Sequence, residues 1–352
     1  MRRRLFVVYC GQQEYDRTSG GDFMQGFQKV VGHQEIITHL QNAISMNKVS
    51  HAYLFGGESG SGKKMMASLF AMTLQCEKHG VEPCMECPSC KKAQSQNHPD
   101  IIYVKHEKPN TISIDEIREQ LINDVMIKPY SSPYKIYIID EAQKLTLQAQ
   151  NALLKTIEEP PAYAVVMLLA DNPDALLPTI SSRCVQLNLK PVGDQLVKDY
   201  LMNEMHVPDY QAEVDASLAQ GNIGKAERIA RSPEYEETLE NALRMAKYAD
   251  SMPLYEIVET IKKLTAEKDN IDDYFDIFSL WFRDVLLFKA TKEVDSLVFK
   301  QELNGIRERA NKSSYEGLEK IIEAIQKARA RLNANVNFDL TMELMFLTMK
   351  EN

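Results

Sequence analysis

The sequence predicts an α/β fold with a parallel sheet in its first half, followed by an all-helical second half. From residue 34 to about 188, short apolar runs alternate with amphipathic stretches. A glycine-rich loop stands between the first such run and a helix-forming segment, which is where a β-loop-α unit carries it. After Pro191 and Gly193 helical periodicity continues and no strand pattern returns. At 352 residues the chain has room for two or three domains and can bury a large core without disulfides. Apolar residues at 44% and charged residues at 26% are the balance of an ordinary globular protein.

The opening Met1-Arg-Arg-Arg-Leu-Phe-Val-Val-Tyr-Cys10 briefly imitates a secretion signal. Its apolar stretch is too short, and no small-residue cleavage site precedes the polar run Gly11 to Asp22. Residues 1–23 read as a disordered extension or as a spurious start upstream of Met24, and both readings stay open. The absence of a signal predicts a cytoplasmic protein. Apolar runs such as Val165 to Ala170 fall far short of the roughly 18 residues that span a bilayer, so no membrane association is expected.

Strands are expected at 52–55, 101–104, 135–139 and 164–169. Ser113-Ile-Asp-Glu116 is a capping box opening a helix, with Ile114, Ile117, Leu121 and Ile122 on one face. Short helices are expected over 194–247, then longer ones at 253–266, 272–290, 314–332 and 338–350. In the third of these, Leu318, Ile321, Ile322, Ile325 and Leu332 line one face. Trp281, Tyr274, Phe275, Phe278 and Phe282, at helical spacing, read as core or interface packing rather than a base-stacking platform. A net charge of −9 argues against a general polyanion binder.

The sharpest chemical signal is Gly57-Glu-Ser-Gly60-Ser-Gly62-Lys63. Glycines let backbone N–H groups turn inward around a phosphate, the following helix adds positive potential, and Lys63 reaches the outer phosphates. The next residue should carry a hydroxyl for Mg²⁺, but Lys64 stands there. The expectation is a loop that holds ATP or ADP weakly or not at all, without Mg²⁺ and without productive hydrolysis. Asp140 and Glu141 close the strand at 135–139, the place of a magnesium-holding Asp and a water-polarising Glu.

Cys76, Cys84, Cys87 and Cys90, with two-residue spacers between the last three, suit a structural tetrahedral Zn²⁺. The triplet also resembles an iron–sulfur ligand run, but the usual Cys-Pro is missing. Free thiols remain the plain alternative, and Cys10 and Cys184 stand apart as free. Arg183, in Thr179-Ile-Ser-Ser-Arg-Cys184, reads from position alone as a surface arginine near a boundary.

Together these residues resemble the clamp-loader branch of the AAA+ ATPases, over essentially everything from residue 24 onward. The motifs are the cysteine module before Asn97-His-Pro-Asp100, then Ile114-Asp-Glu-Ile-Arg118, Asn151-Ala-Leu-Leu-Lys-Thr-Ile-Glu-Glu-Pro-Pro161 and Ser182-Arg-Cys184. Trp281-x-Arg283-Asp284 and Asn333-Ala-Asn-Val-Asn337 follow. The resemblance implies an AAA+ core over 24–190 with an inserted zinc module at 76–90, a small helical lid over 191–249 and an all-α collar over 250–352. It implies a hetero-pentamer with gamma/tau and delta subunits that places a sliding clamp on primed DNA. It also implies that Arg183 is an arginine finger acting in trans on a neighbour's ATP.

The family holds ATP-hydrolysing gamma/tau motors and a stator. Three substitutions imply the stator: Lys64, Ala170-Asp171 where the motor has a phosphate-sensing Thr, and Gly224 where it has an arginine. The motor is the alternative, since Lys63, Asp140 and Glu141 are intact. Polymerase chemistry is not read in this chain, although membership of a DNA polymerase holoenzyme is implied.

Overall fold

The computed structural model describes residues 26–266, 270–334 and 336–352. The expectations for residues 1–23, Cys10 and Asn335 lie outside the described residues. Contacts divide the chain into two compact units that part between Lys190 and Pro191.

The first unit runs α1 (Gln34–Ser45), β1 (Ala52–Gly56), α2 (Lys63–Leu74), α3 (Pro88–Gln94), β2 (Ile101–Val104) and α4 (Ile114–Ile117). It continues with β3 (Lys135–Ile139), α5 (Leu147–Glu158), β4 (Ala164–Ala170), α6 (Pro178–Ser181) and β5 (Val185–Asn188). The strands pair in the order β2-β3-β4-β1-β5, every neighbour parallel. Helices cover both faces, so β1, β3 and β4 are buried at every position and read as continuous apolar runs. Alternate residues serve opposite cores. Tyr53, Phe55, Ile136, Ile138, Val165, Met167 and Leu169 pack on one side. Leu54, Tyr137, Ile139, Val166 and Leu168 pack on the other.

The capping box at Ser113 is formed. Glu116 N donates to Ser113 Oγ at 3.4 Å, and Ser113 N returns a bond to the Glu116 carboxylate at 2.6 Å. Ile117 and Leu121 are fully buried, with Ile114 and Ile122 packed alongside. Strand β5 is not among the expected strands. It is an edge strand in which Leu187 is the buried residue, so its apolar signal is thin.

The second unit is helical: α7 (Asp194–Asn203), α8 (Asp209–Ala219), α9 (Ile223–Arg231), α10 (Pro233–Tyr248) and α11 (Leu254–Ala266). Then come α12 (Ile271–Thr291), α13 (Leu303–Lys312), α14 (Tyr315–Asn333) and α15 (Phe338–Glu351). Tyr274, Phe275, Phe278, Trp281 and Phe282 of α12 are at most 1% exposed, so the aromatic group is core. Leu318, Ile321 and Ile325 are buried in the same core, with Ile322 and Leu332 at its margin. Asp284, fully buried, accepts from Val298 N at 2.8 Å and Phe299 N at 2.9 Å, tying α12 to the segment before α13. Among the described residues no helix is long and apolar enough to cross a membrane.

Candidate phosphate loop and metal centre

Parallel pairing puts the carboxyl ends of β3, β4 and β1 side by side, and the residues that follow them form one edge. After β1 comes the glycine loop, with Gly57, Gly60 and Gly62 at φ of 148°, 83° and 93°. A Cβ on Gly57 would meet Leu189 O at 2.7 Å, so only glycine fits there. Gly62 precedes the first turn of α2, whose first residue is Lys63.

Lys63 is 7% exposed, and its ammonium donates to Gly57 O at 2.7 Å, Glu58 O at 2.8 Å and Asp171 Oδ1 at 2.7 Å. Lys64 lies 3.2 Å from Asp140 Oδ2, so an ammonium sits against the carboxylate that the sequence marks as the candidate magnesium holder. Glu141 adopts φ of 52° and is held by Lys144 at 2.6 Å and His106 at 3.3 Å. The structure thus brings the expected loop, Lys63, Lys64, Asp140 and Glu141 to one edge of the sheet. It engages each of these charged groups with a side chain of opposite charge. Sequence reasoning notices Asp171 only as a missing hydroxyl; its partner lies 108 positions away, and the partners Gln143, His106 and Lys144 carry no local signal.

Arg183 follows α6 at a different place. Its guanidinium donates to Thr179 O at 2.9 Å and pairs with Glu158 at 3.0 Å, while 41% of the side chain stays exposed. With His51, Ile157, Glu158 and Glu159 it lines an open hollow.

The four cysteine sulfurs lie within 4.8 Å of one another. Zn–S bonds of about 2.3 Å place tetrahedral sulfurs about 3.8 Å apart, and Cys84 Sγ to Cys90 Sγ is 3.9 Å. Cys87 N and Cys90 N point at Cys84 Sγ and Cys87 Sγ at 3.4 and 3.3 Å, the contacts that stabilise thiolates. Backbone N–H groups of Cys87 and Glu86 pull the Cys84 thiol down to about 6, whereas burial pushes Cys90 up. Four sulfurs converging at this spacing can hold one metal ion and fit zinc. Cys184 stands apart, raised to about 11 by burial.

The cysteine module is wired into the sheet. Glu82 accepts from Phe27 N at 2.9 Å and Gln41 Nε2 at 2.6 Å. Ser89 donates to Gln75 O at 2.6 Å and meets His98 Nε2 at 3.0 Å. His98 Nδ1 accepts from Asp100 N, so its Nε2 carries the proton toward Ser89.

A five-stranded parallel sheet in this order, a glycine-rich loop after β1 and an acidic pair after β3 define an AAA+ type core with a cysteine module inserted after α2. The family model described as "DNA polymerase III, delta subunit" matches residues 32–193, and "DNA polymerase III, delta subunit, C terminal" matches 237–351. The chain is 31% identical to the DNA polymerase III subunit delta-prime of Bacillus subtilis, covering 89% of this chain and 94% of that protein. It is 30% identical to the tau subunit of the same organism, over 88% of this chain and 58% of tau. A gamma subunit-related protein of Thermotoga maritima superposes with a TM-score of 0.46 at 19% identity, covering 90% of this chain and 98% of that one. The chain belongs to the DNA polymerase III clamp-loader family, on its delta-prime branch.

Proposed function

We propose that this chain is the stator of a clamp loader, supplying Arg183 to the ATP site of a neighbouring motor subunit while turning over no ATP itself. The observation that carries the reading is the contrast between two cations. Lys63 commits its three N–H donors to Gly57, Glu58 and Asp171, whereas the Arg183 guanidinium is held at one side and exposed at the other. An arginine so presented can stabilise charge on a phosphoryl group brought by another chain. On this reading Asp140 and Glu141 are inherited positions with no remaining turnover, and any ATP or ADP at Gly57, Gly60, Gly62, Lys63 and Lys64 binds without Mg²⁺.

Residues 24–190 are the AAA+ core, 191–249 a helical lid and 250–352 a collar that joins gamma/tau and delta partners. The assembly places a sliding clamp on primed DNA in the cytoplasm. Cys76, Cys84, Cys87 and Cys90 hold a structural Zn²⁺ that leaves no open coordination position and so takes no part in chemistry.

The test is clamp- and primed-DNA-stimulated ATP hydrolysis by a loader reconstituted with its motor and delta partners. Arg183→Ala is expected to cut turnover by about 10³-fold at the site it serves, and Lys63→Ala to leave turnover near normal. The motor reading is favoured by the intact Lys63, Asp140 and Glu141 and by the likeness to tau. It predicts the reverse order of damage.

A further inference from the structure

We infer that Asp171 is the residue that keeps nucleotide out of the Gly57–Lys63 loop: its carboxylate is an internal anion that Lys63 grips where it would otherwise grip a phosphate. An ammonium has three N–H donors. Those of Lys63 go to Gly57 O, Glu58 O and Asp171 Oδ1 at 2.7, 2.8 and 2.7 Å, on a residue only 7% exposed. A phosphate oxygen can reach this ammonium only by displacing one of these partners.

Register places the carboxylate there. Gly56 pairs with Ala170, and Gly57 N donates to Ala170 O at 3.3 Å, so the first residue beyond β4 lies alongside the start of the loop. Gln143 then pins it from the far side. Its Oε1 accepts from Asp171 N at 3.1 Å, and its Nε2 reaches Asp171 Oδ2 at 3.4 Å. The second pair, Lys64 with Asp140 at 3.2 Å, uses the other cation of the loop in the same way. The edge therefore holds two lysines already matched by two carboxylates. A polyphosphate entering it must break the Lys63–Asp171 bond and place its own negative charge beside the released carboxylate, with no magnesium to offset it.

This inference rests on the reading of the loop as a site without turnover, yet its test uses this chain alone. It can fail while the role of Arg183 stands, and the reverse. The probe is a fluorescent methylanthraniloyl-ADP, titrated in EDTA into the native chain, Asp171→Ala, Asp171→Thr and the double variant Asp171→Ala/Lys63→Ala. Asp171 has 43% of its side chain exposed, so both single variants are expected to fold, and a melting curve checks each. Asp171→Ala and Asp171→Thr are expected to bind at least about tenfold more tightly than the native chain, with the double variant back at the native level. The inference is overturned if the native chain binds within about threefold of both single variants, or if the gain survives the loss of Lys63.

Discussion

Asp215 shows what a single buried charge does to this molecule. It lies in α8, is 3% exposed, and its Oδ2 has no hydrogen-bond partner. Burial, and secondarily the charge of Glu236, pushes its carboxyl up to about 6. The folded chain therefore holds this proton more tightly than the unfolded chain does. The associated stability is complete below about pH 4 and is lost as pH rises through about 6. Asp215→Asn removes the charge that must otherwise be buried. Its melting temperature is expected to exceed that of the native chain by about 2–4 °C at neutral pH and above, with the gap closing toward pH 4. Calorimetry across that range checks this, and a gap independent of pH would assign the effect to something other than charge burial. The same scale explains the glycine-rich loop. Its glycines are legible because strand, turn and helix are contiguous in the chain, but the counter-ion of Lys63 lies 108 positions away.

At the scale of elements, the cysteine module is the part whose integrity a metal would decide. It spans the end of α2 to the start of α3, a stretch with no strand of its own. Through Glu82 it holds Phe27 and α1, and through Ser89 it holds His98 before β2. Besides those bonds the crossing has the burial of Cys76, Cys87, Cys90 and Ala93 in the first unit's core, and a shared cation would add the link that joins the four sulfurs. The purified chain is expected to carry one zinc by elemental analysis, and Cys87→Ser or a strong chelator should lower the melting temperature by more than about 5 °C. A chain that arrives without metal and melts unchanged in chelator would remove the metal from the account. Two elements escape a reading of the sequence. Strand β5 does so because an edge strand with one buried residue has almost no apolar pattern. Helix α13 does so because its apolar residues are few among polar positions such as Asn304, Arg307 and Glu308. It is anchored by buried Ile306 and Ala310, and by Gly305, where an added Cβ would meet the Lys247 side chain at 2.9 Å.

At the scale of the whole molecule, the two units have separate cores. The sheet of the first is closed on both faces by its own helices. The second, from Pro191 onward, has one continuous core to which helices from α7 to α15 contribute, with the aromatic residues of α12 buried in it. A fragment covering 191–352 is therefore expected to fold alone, with a cooperative thermal transition and strong helical circular dichroism. A broad, non-cooperative melt would show that its core depends on the first unit.

The fold class, the glycine-rich loop at 57–62, the acidic pair and the cysteine cluster are all legible in the sequence. Each is written in contiguous residues, as apolar period, glycine spacing or cysteine spacing, and local sterics and burial are enough to read it. The tertiary structure alone decided that Lys63 meets Asp171, that Lys64 meets Asp140, and that Arg183 keeps an exposed face beside Glu158. The first of those pairings depends on β1 lying next to β4, and the others on how the sheet order and the helices around it bring distant segments together. Parallel strand order joins residues that are distant in the chain, and no local pattern encodes it.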